Sequence, residues 1–519
     1  MIQSAFPRSV RLTCLFLGCF SIGWSLNPGW LVAQEPPAGA ASSQYSPLKE
    51  SEIEEVLRQP LAITDCIRIA LATNFSLKVA RAELSKAEAT QWGAANIFHP
   101  TFAIIGNKEK TIEKRPATTD PNERTRLTFR NQSVVGTVTQ MLPTGTLFEV
   151  AGDLSRDTNA PDKFSVPPTT QRNRQVVATV TQPLLRNAWP NITRSPLRTA
   201  AYDRQMQGHQ VTDDKLQTIF QVKQAFYDVL LQRDLMRVNQ EAIVRDSSLV
   251  DASRAKLDAE IATRRDILSA EIQLADDRTK LIKSQSDYQL SLDRLKQVMG
   301  VPIDLEIDIA DIEMAYSEKP LDDTFLIQRA KDYNPLIERA RTSIRRTELQ
   351  ASVARNASLP QLDLSLSYTG NIKTEPDDND PTLDFEVRNS GWQASFELSY
   401  PLLNRDARSK RQIAQLAVSQ ERDRLAELER QITVDIRNVI RGTRSSVQEI
   451  KSLQRSIDAA QEKVDFANTM FNLGRASNLD ITDAQEALLK AQTQFIQKLV
   501  DYNVQLALLE SLTDQVIVP

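Results

Sequence analysis

Two long stretches of this chain carry apolar side chains at helical spacing and contain no proline. None lies between Pro196 and Pro302 or between Pro401 and Pro519, and glycine there is confined to Gly208, Gly300, Gly442 and Gly474. Ile219, Val222, Phe226 and Val229 recur three and four apart, as do Ile481, Ala484, Leu488, Ala491 and Phe495. That spacing puts them on one stripe of a helix and predicts coiled-coil seams. Each run is interrupted once, at Thr263-x-x-Asp266 and at Ser477-x-x-Asp480, where a hydroxyl followed by an acid three residues on can cap a new helix. Each run is therefore predicted to be a helical hairpin, over 197–300 and 402–513. The residues from Arg408 to Asn472 would make a rod of roughly 100 Å at 1.5 Å per residue.

The interruptions are copies of one phrase. DAEIATRRDILSAEIQLADDR at 258–278 aligns without a gap on NLGRASNLDITDAQEALLKAQ at 472–492, so that Ala262, Asp266, Ile267, Ala270 and Leu274 meet Ala476, Asp480, Ile481, Ala484 and Leu488. A second gapless alignment sets 74–104 on 334–364, with Asn74 on Asn334, Arg81 on Arg341 and Pro100 on Pro360. The chain reads as a tandem duplication. The first repeat covers 53–302 and the second 326–519, and each consists of a helix, strand material and a long hairpin. Residues 303–325 lie between them as a small cap of short strand and helix.

Period-two patterning marks the strands. Leu362, Leu364, Leu366 and Tyr368 alternate with polar residues, and so do Trp392, Ala394, Phe396, Leu398 and Tyr400. One apolar and one polar face, with aromatics at the ends, suits a strand crossing a bilayer; a soluble sandwich shows the same alternation. The long polar segment between the two strands and the rod behind them favour the membrane. The second repeat thus has strands within about 361–400. The first has more strand material, at about 97–107, 131–142, 146–155 and 174–185, with Pro143-Thr144-Gly145 as a turn. The fold class is mixed α and β, mainly α.

Composition narrows the function. Lys plus Arg number 63 and Asp plus Glu 67, a net charge of -4, so no basic excess drives nucleic-acid binding. Two histidines and three cysteines leave little material for a metal cage or a Cys/His nucleophile. No enzyme, cofactor or metal is expected. A hydrolase using Asp266, Asp480 and Asp483 as paired carboxylates lacks a pocket-forming loop or a histidine. Arg8 and Arg11 followed by LTCLFLGCFSIGW and a break at Asn27-Pro28-Gly29 predict a signal peptide over 1–34. It is followed by a Pro/Ala/Ser linker over 35–52. Cys14 and Cys19 lie in the signal and are lost on cleavage; lipid attachment at Cys19 is the alternative. No later run of some 18 to 20 apolar residues could span a membrane as a helix. Spanning strands too few to close alone require oligomerisation, because open edges are forbidden in lipid.

LAITDCIRIALATNFSLKVARAELSKAEA at 61–89, VTQPLL and LSYPLL where strands give way to helices, and the paired tip phrases together resemble the TolC family of outer membrane efflux proteins over roughly residues 55–515. The resemblance implies a homotrimer whose duplicated hairpins form a periplasmic α-barrel continuous with an outer membrane β-barrel. It implies an outer membrane channel of a tripartite efflux or type I secretion system, a passive duct fed by an inner-membrane pump and a periplasmic adaptor protein. Four strands per protomer is the family's usual number and this chain offers six, so either the barrel is wider or the 131–155 hairpin sits outside its wall. Asp480 and Asp483, three apart on one helix face, match the family's aspartate pair at the tip constriction, with Asp266 as the matching acid of the first repeat. Rings of carboxylates narrow a pore and favour cations. Helix capping and the helix dipole explain the same acids without a ring, and both readings stand. Glu260, Ile261, Leu473, Gly474 and Arg475 are the candidate tip turns and adaptor contacts. Glu260 occupies the place of Gly474, and Arg475 stands one position before the arginine expected from the family. The rival function is a periplasmic coiled-coil adaptor or tethering protein without a pore, which would carry one hairpin between soluble β domains.

Overall fold

The computed structural model describes residues 45–48, 50–116, 124–161, 168–258, 263–312, 314–317, 321–373 and 386–515. The signal sequence, most of the linker, Cys14 and Cys19 lie outside these residues, as do Glu260 and Ile261. In chain order the first repeat comprises α1 (Glu50–Val56), α2 (Ile63–Thr73), α3 (Phe75–Ala94), β1 (Thr101–Pro116), β2 (Arg124–Met141), β3 (Leu147–Pro161), β4 (Thr169–Pro183), α4 (Ser195–Asp258) and α5 (Arg264–Met299). The second comprises α6 (Asp323–Tyr333), α7 (Pro335–Ala357), β5 (Gln361–Lys373), β6 (Glu386–Ser399), α8 (Arg405–Asn472) and α9 (Asn478–Thr513). The 68 residues of α8 extend about 100 Å. No helix among the described residues is long and apolar enough to cross a membrane.

The duplication fixes the helical frame. Helices α5 and α9 are both 36 residues long, and both are entered through capping boxes, at Thr263 and Ser477. Asn74 and Asn334 each end an 11-residue helix and cap the next one. Their amides perform matching tasks: Asn74 Nδ2 donates to the Val298 carbonyl at 2.7 Å and Asn334 Nδ2 to the Leu512 carbonyl at 3.1 Å. Each joins a short helix to the last turn of a hairpin, satisfying a carbonyl that the helix end leaves open. Equivalent cores surround these joints. Val222, Phe226 and Leu295 pack with α2 in one, while Ile436, Ile440 and Leu509 pack with α6 in the other. Each such buried side chain stabilises by about 1.5–3 kcal/mol. Cys66 lies in the first core, where burial pushes its thiol up to about 12.

The strands form one antiparallel sheet in the order β1-β2-β3-β4-β5-β6. The 131–155 hairpin is therefore part of the wall, with β2 bonded to β1 along its length and β3 to β4. Its turn is held against the start of the following helical region. Gly145, at φ 89°, lies so close to the Asn187 carbonyl that a Cβ would come within 2.6 Å of it.

Several expected boundaries are corrected. The strands of the first repeat run farther than 97–107, 131–142, 146–155 and 174–185. They reach Pro116, back to Arg124, to Pro161 and back to Thr169, because backbone pairing continues where the apolar alternation stops. Residues 95–98 form a 3₁₀ turn. Thr369–Lys373 and Glu386–Gly391, expected as loop, are strand. Within 303–325 the expected short strand is a single bridge, Leu61 to Ile309.

Candidate functional site

The hairpin tips are built by backbone chemistry. At the end of α8, Gly474 at φ 74° lets Arg475 N–H bond the Met470 carbonyl at 2.8 Å and Gly474 N–H bond the Phe471 carbonyl at 3.0 Å, the pattern of a left-handed helix stop. Ser477 then opens α9. Asp480 accepts from Ser477 N–H and Oγ, both at 2.8 Å, and these bonds hold its carboxyl below the usual range. Asp266 accepts from Thr263 Oγ1 at 2.7 Å and Thr263 N–H at 2.9 Å, with the same consequence. Capping is thus the observed task of both acids. Asp483 is exposed one turn farther along α9, and Leu473 and Arg475 are exposed on the turn.

The two tips are joined within the chain. Asn478 Nδ2 donates to Ser253 Oγ at 2.7 Å and to the Asp266 carbonyl at 2.9 Å. Lys256 Nζ bonds the Phe471 carbonyl and sits 3.1 Å from the Phe471 ring centroid. An ammonium here meets both an aromatic face and a helix C-terminus. Beneath these links, Leu249, Val250, Ala270 and Leu274 pack with Val464, Phe471, Ile481 and Leu488. Sequence reasoning brought Asp266 and the second tip into correspondence. It missed Ser253, Lys256 and Asn478, which bind them together.

The sheet supplies the other half of the site. Cross-strand partners share a face, and the pairing places Phe102, Val138, Val150, Ala178, Tyr368 and Trp392 in one row. All the strongly exposed large apolar side chains of the strands lie on this face except Ile105 and Met141, with Trp392 80% and Phe396 71% exposed. The opposite face carries Thr137, Thr179, Ser365 and Ser367 together with the acids Glu109, Glu149, Asp153, Asp157, Asp363 and Glu397. Among the described side chains it carries no Lys or Arg. An apolar face bare of contacts backed by a polar one is the cross-section of a membrane barrel wall.

The profile of the family described as outer membrane efflux protein matches residues 326–513, the second repeat. The second repeat is thus similar to the outer membrane efflux proteins. Among solved structures, the Campylobacter jejuni CmeC outer membrane channel is similar at 13% identity, over 87% of this chain and 85% of that one, with a TM-score of 0.62. The Vibrio cholerae outer membrane protein VceC is similar at 16%, over 87% and 96%, with a TM-score of 0.62. The open state of the Neisseria gonorrhoeae MtrE outer membrane channel is similar at 14%, over 87% and 88%, with a TM-score of 0.59. These likenesses establish that both repeats share the channel fold. No curated protein matches the sequence. The fold is that of outer membrane channels.

The first hairpin also holds a polar layer that the sequence reading passed over. Asp246 on α4 and Asp277 on α5 are both 3% exposed. Asp277 accepts from Lys280 at 2.7 Å and from Gln273 at 3.3 Å. Burial, followed by the neighbouring Asp277 carboxyl, pushes Asp246 up to about 7, with Arg245 and Lys280 opposing. Two carboxyls this close share a proton more readily than they both ionise. Glu486 on α9 also acts on Lys280, which links the layer to the second hairpin. The signal that finds it is the repeat itself, since the matching positions of the second hairpin are Ala460 and Ala491.

Proposed function

We propose that three copies of this chain form the passive exit duct of an efflux or secretion assembly, receiving cargo from an inner-membrane pump through a periplasmic adaptor that docks at the hairpin tips. The observation that carries this reading is the six-stranded sheet with one bare apolar face and two open edges, continuous with the long hairpins. Open edges are not tolerated in lipid. In an antiparallel sheet with an even number of strands, β1 and β6 run in opposite directions. The β6 of one copy therefore pairs antiparallel with the β1 of the next, and the ring closes. Three copies would pool about eighteen strands, in the range that encloses an aqueous channel. An adaptor without a pore has no use for such a sheet. At the far end, Asp480 and Asp483 would form two rings of three carboxylates, and Leu473, Gly474 and Arg475, with Glu260 and Ile261 of the other tip, would meet the adaptor.

Reconstitution of the full-length protein into planar bilayers tests the reading. Discrete conductance steps and a heat-sensitive, detergent-resistant trimer are expected. A monomer that passes no current would end the proposal. Asp480→Asn with Asp483→Asn should lower cation preference, read as a smaller reversal potential in a salt gradient. Unchanged selectivity would leave both acids as helix caps.

A further inference from the structure

The outward face of the sheet changes chemistry partway along the strands. Toward the helices it is apolar. Beyond Gly106, Val134 and Leu154 the same face carries Lys108, Arg156 and Arg172 in one cross-strand row and Lys110 and Arg130 in the next, with Arg174 paired to Leu154. Arg156 stands directly opposite Arg172, and Lys110 directly opposite Arg130. Like charges directly opposite each other destabilise a sheet. Among the described side chains, no acid shares this face with them. The acids of the same strands, such as Glu109, Asp153 and Asp157, point to the other side. The arrangement therefore needs an external anion.

The surface is also shaped. Gly106 has open space where a side chain would be, and around it lies an open hollow of about 530 Å³ lined by Leu154 and Val134 on one side and by Lys108, Arg156, Arg172 and Arg174 on the other. Cations above and aliphatic surface below fit an amphiphile with an anionic head. From β1 to β4 the row is three strand spacings wide, roughly 14 Å. A single phosphodiester cannot span that distance, whereas a sugar headgroup with a phosphate at each end can. The belt lies on the side of the apolar band away from the periplasmic helices, and so at the outer leaflet.

We propose that this belt binds an acylated, doubly phosphorylated glycolipid of the outer leaflet, with Lys and Arg on its phosphates and its chains along the apolar band. The inference rests on the membrane placement of the sheet. Arginine favours phosphate through paired, charge-assisted hydrogen bonds.

Native mass spectrometry of the purified full-length protein with diphosphorylated lipid A measures the interaction, with enzymatically dephosphorylated lipid A and phosphatidylglycerol as competitors. Binding of the diphosphorylated form should be at least tenfold tighter than of either competitor, and should fall at least tenfold in Lys108→Gln/Arg156→Gln/Arg172→Gln/Arg174→Gln. Equal retention of the dephosphorylated form, or undiminished binding by the variant, would overturn the proposal. Equal retention of phosphatidylglycerol would overturn the choice of a glycolipid. The competitor arms need only the wild type, so a variant that misfolds leaves the question answerable. Conductance in phosphatidylcholine bilayers reads the duct separately: current without lipid A selectivity refutes this inference alone, and absence of current refutes the duct.

Discussion

Where the first hairpin buries Asp246 and Asp277, the second buries Ala460 and Ala491. Around that layer the two hairpins agree closely. Val250 and Leu274 of one match Val464 and Leu488 of the other, and all four pack in the same core. The caps agree, as do the asparagine joints. Helix length and entry angle are thus held by backbone bonding at the ends, which tolerates little change. A layer between the ends can trade methyl groups for a carboxyl pair provided a proton stays with it. The sheets diverge further, with four strands against two, because an added antiparallel hairpin leaves the chain running in its original direction.

Two of the positive-φ glycines, Gly300 and Gly474, separate the joints from the tips, and substituting them should give the largest effect. A Cβ at Gly300, φ 74°, would lie 2.8 Å from the Thr73 carbonyl, whereas at Gly474, also φ 74°, it would meet nothing within 4 Å. Gly300→Ala should cost about 3 kcal/mol, combining left-handed strain with overpacking, and Gly474→Ala about 1 kcal/mol. Equal thermal midpoints for the two variants would contradict the assignment of rigidity to the joints.

The carboxyl layer comes next. An unfolded aspartate ionises near 4 and Asp246 in the fold at about 7, so between these values the folded state holds more protons. Stability should therefore fall as pH rises through that window, by up to about 1.4 kcal/mol per unit. Asp246→Ala with Asp277→Ala copies the layer of the second hairpin and should flatten this dependence in pH-resolved thermal melts. A slope that survives the substitution would place its source elsewhere.

Smaller effects compare like with like. Asn74→Ala and Asn334→Ala each remove a cap and leave a hairpin carbonyl unpaired, and should cost similar amounts, about 2 kcal/mol. Denaturant midpoints that differ widely between the two would show that the repeats no longer bear load equally. Ser477→Ala and Thr263→Ala should each cost about 1 kcal/mol, seen as faster amide exchange in the first turn of α9 or α5 alone.

The hairpins were legible because helices of this length must repeat an apolar stripe, and because Thr263, Asp266, Ser477 and Asp480 announce the breaks. The outer halves of the strands were not. Lys108, Glu109, Lys110, Thr111 and Glu113 place charge or hydroxyl on both faces of β1, so the period-two signal vanishes there although the backbone remains paired. At the tips the caps could be read from local spacing. Lys256 to Phe471 and Asn478 to Ser253 could not, since they join residues more than two hundred positions apart and none of the four side chains is unusual on a helix. Asp246 and Asp277 look like two more surface acids until the second repeat is laid over the first.

The asparagine joints act as a fulcrum. Each hairpin is pinned where its last turn meets a short helix, and α5 and α9 then run about 54 Å at 1.5 Å per residue before reaching their tips. A tilt of about 5° at the pin would sweep the far end through roughly 5 Å over that length. The packed collar near Asn74 and Asn334 would hardly move.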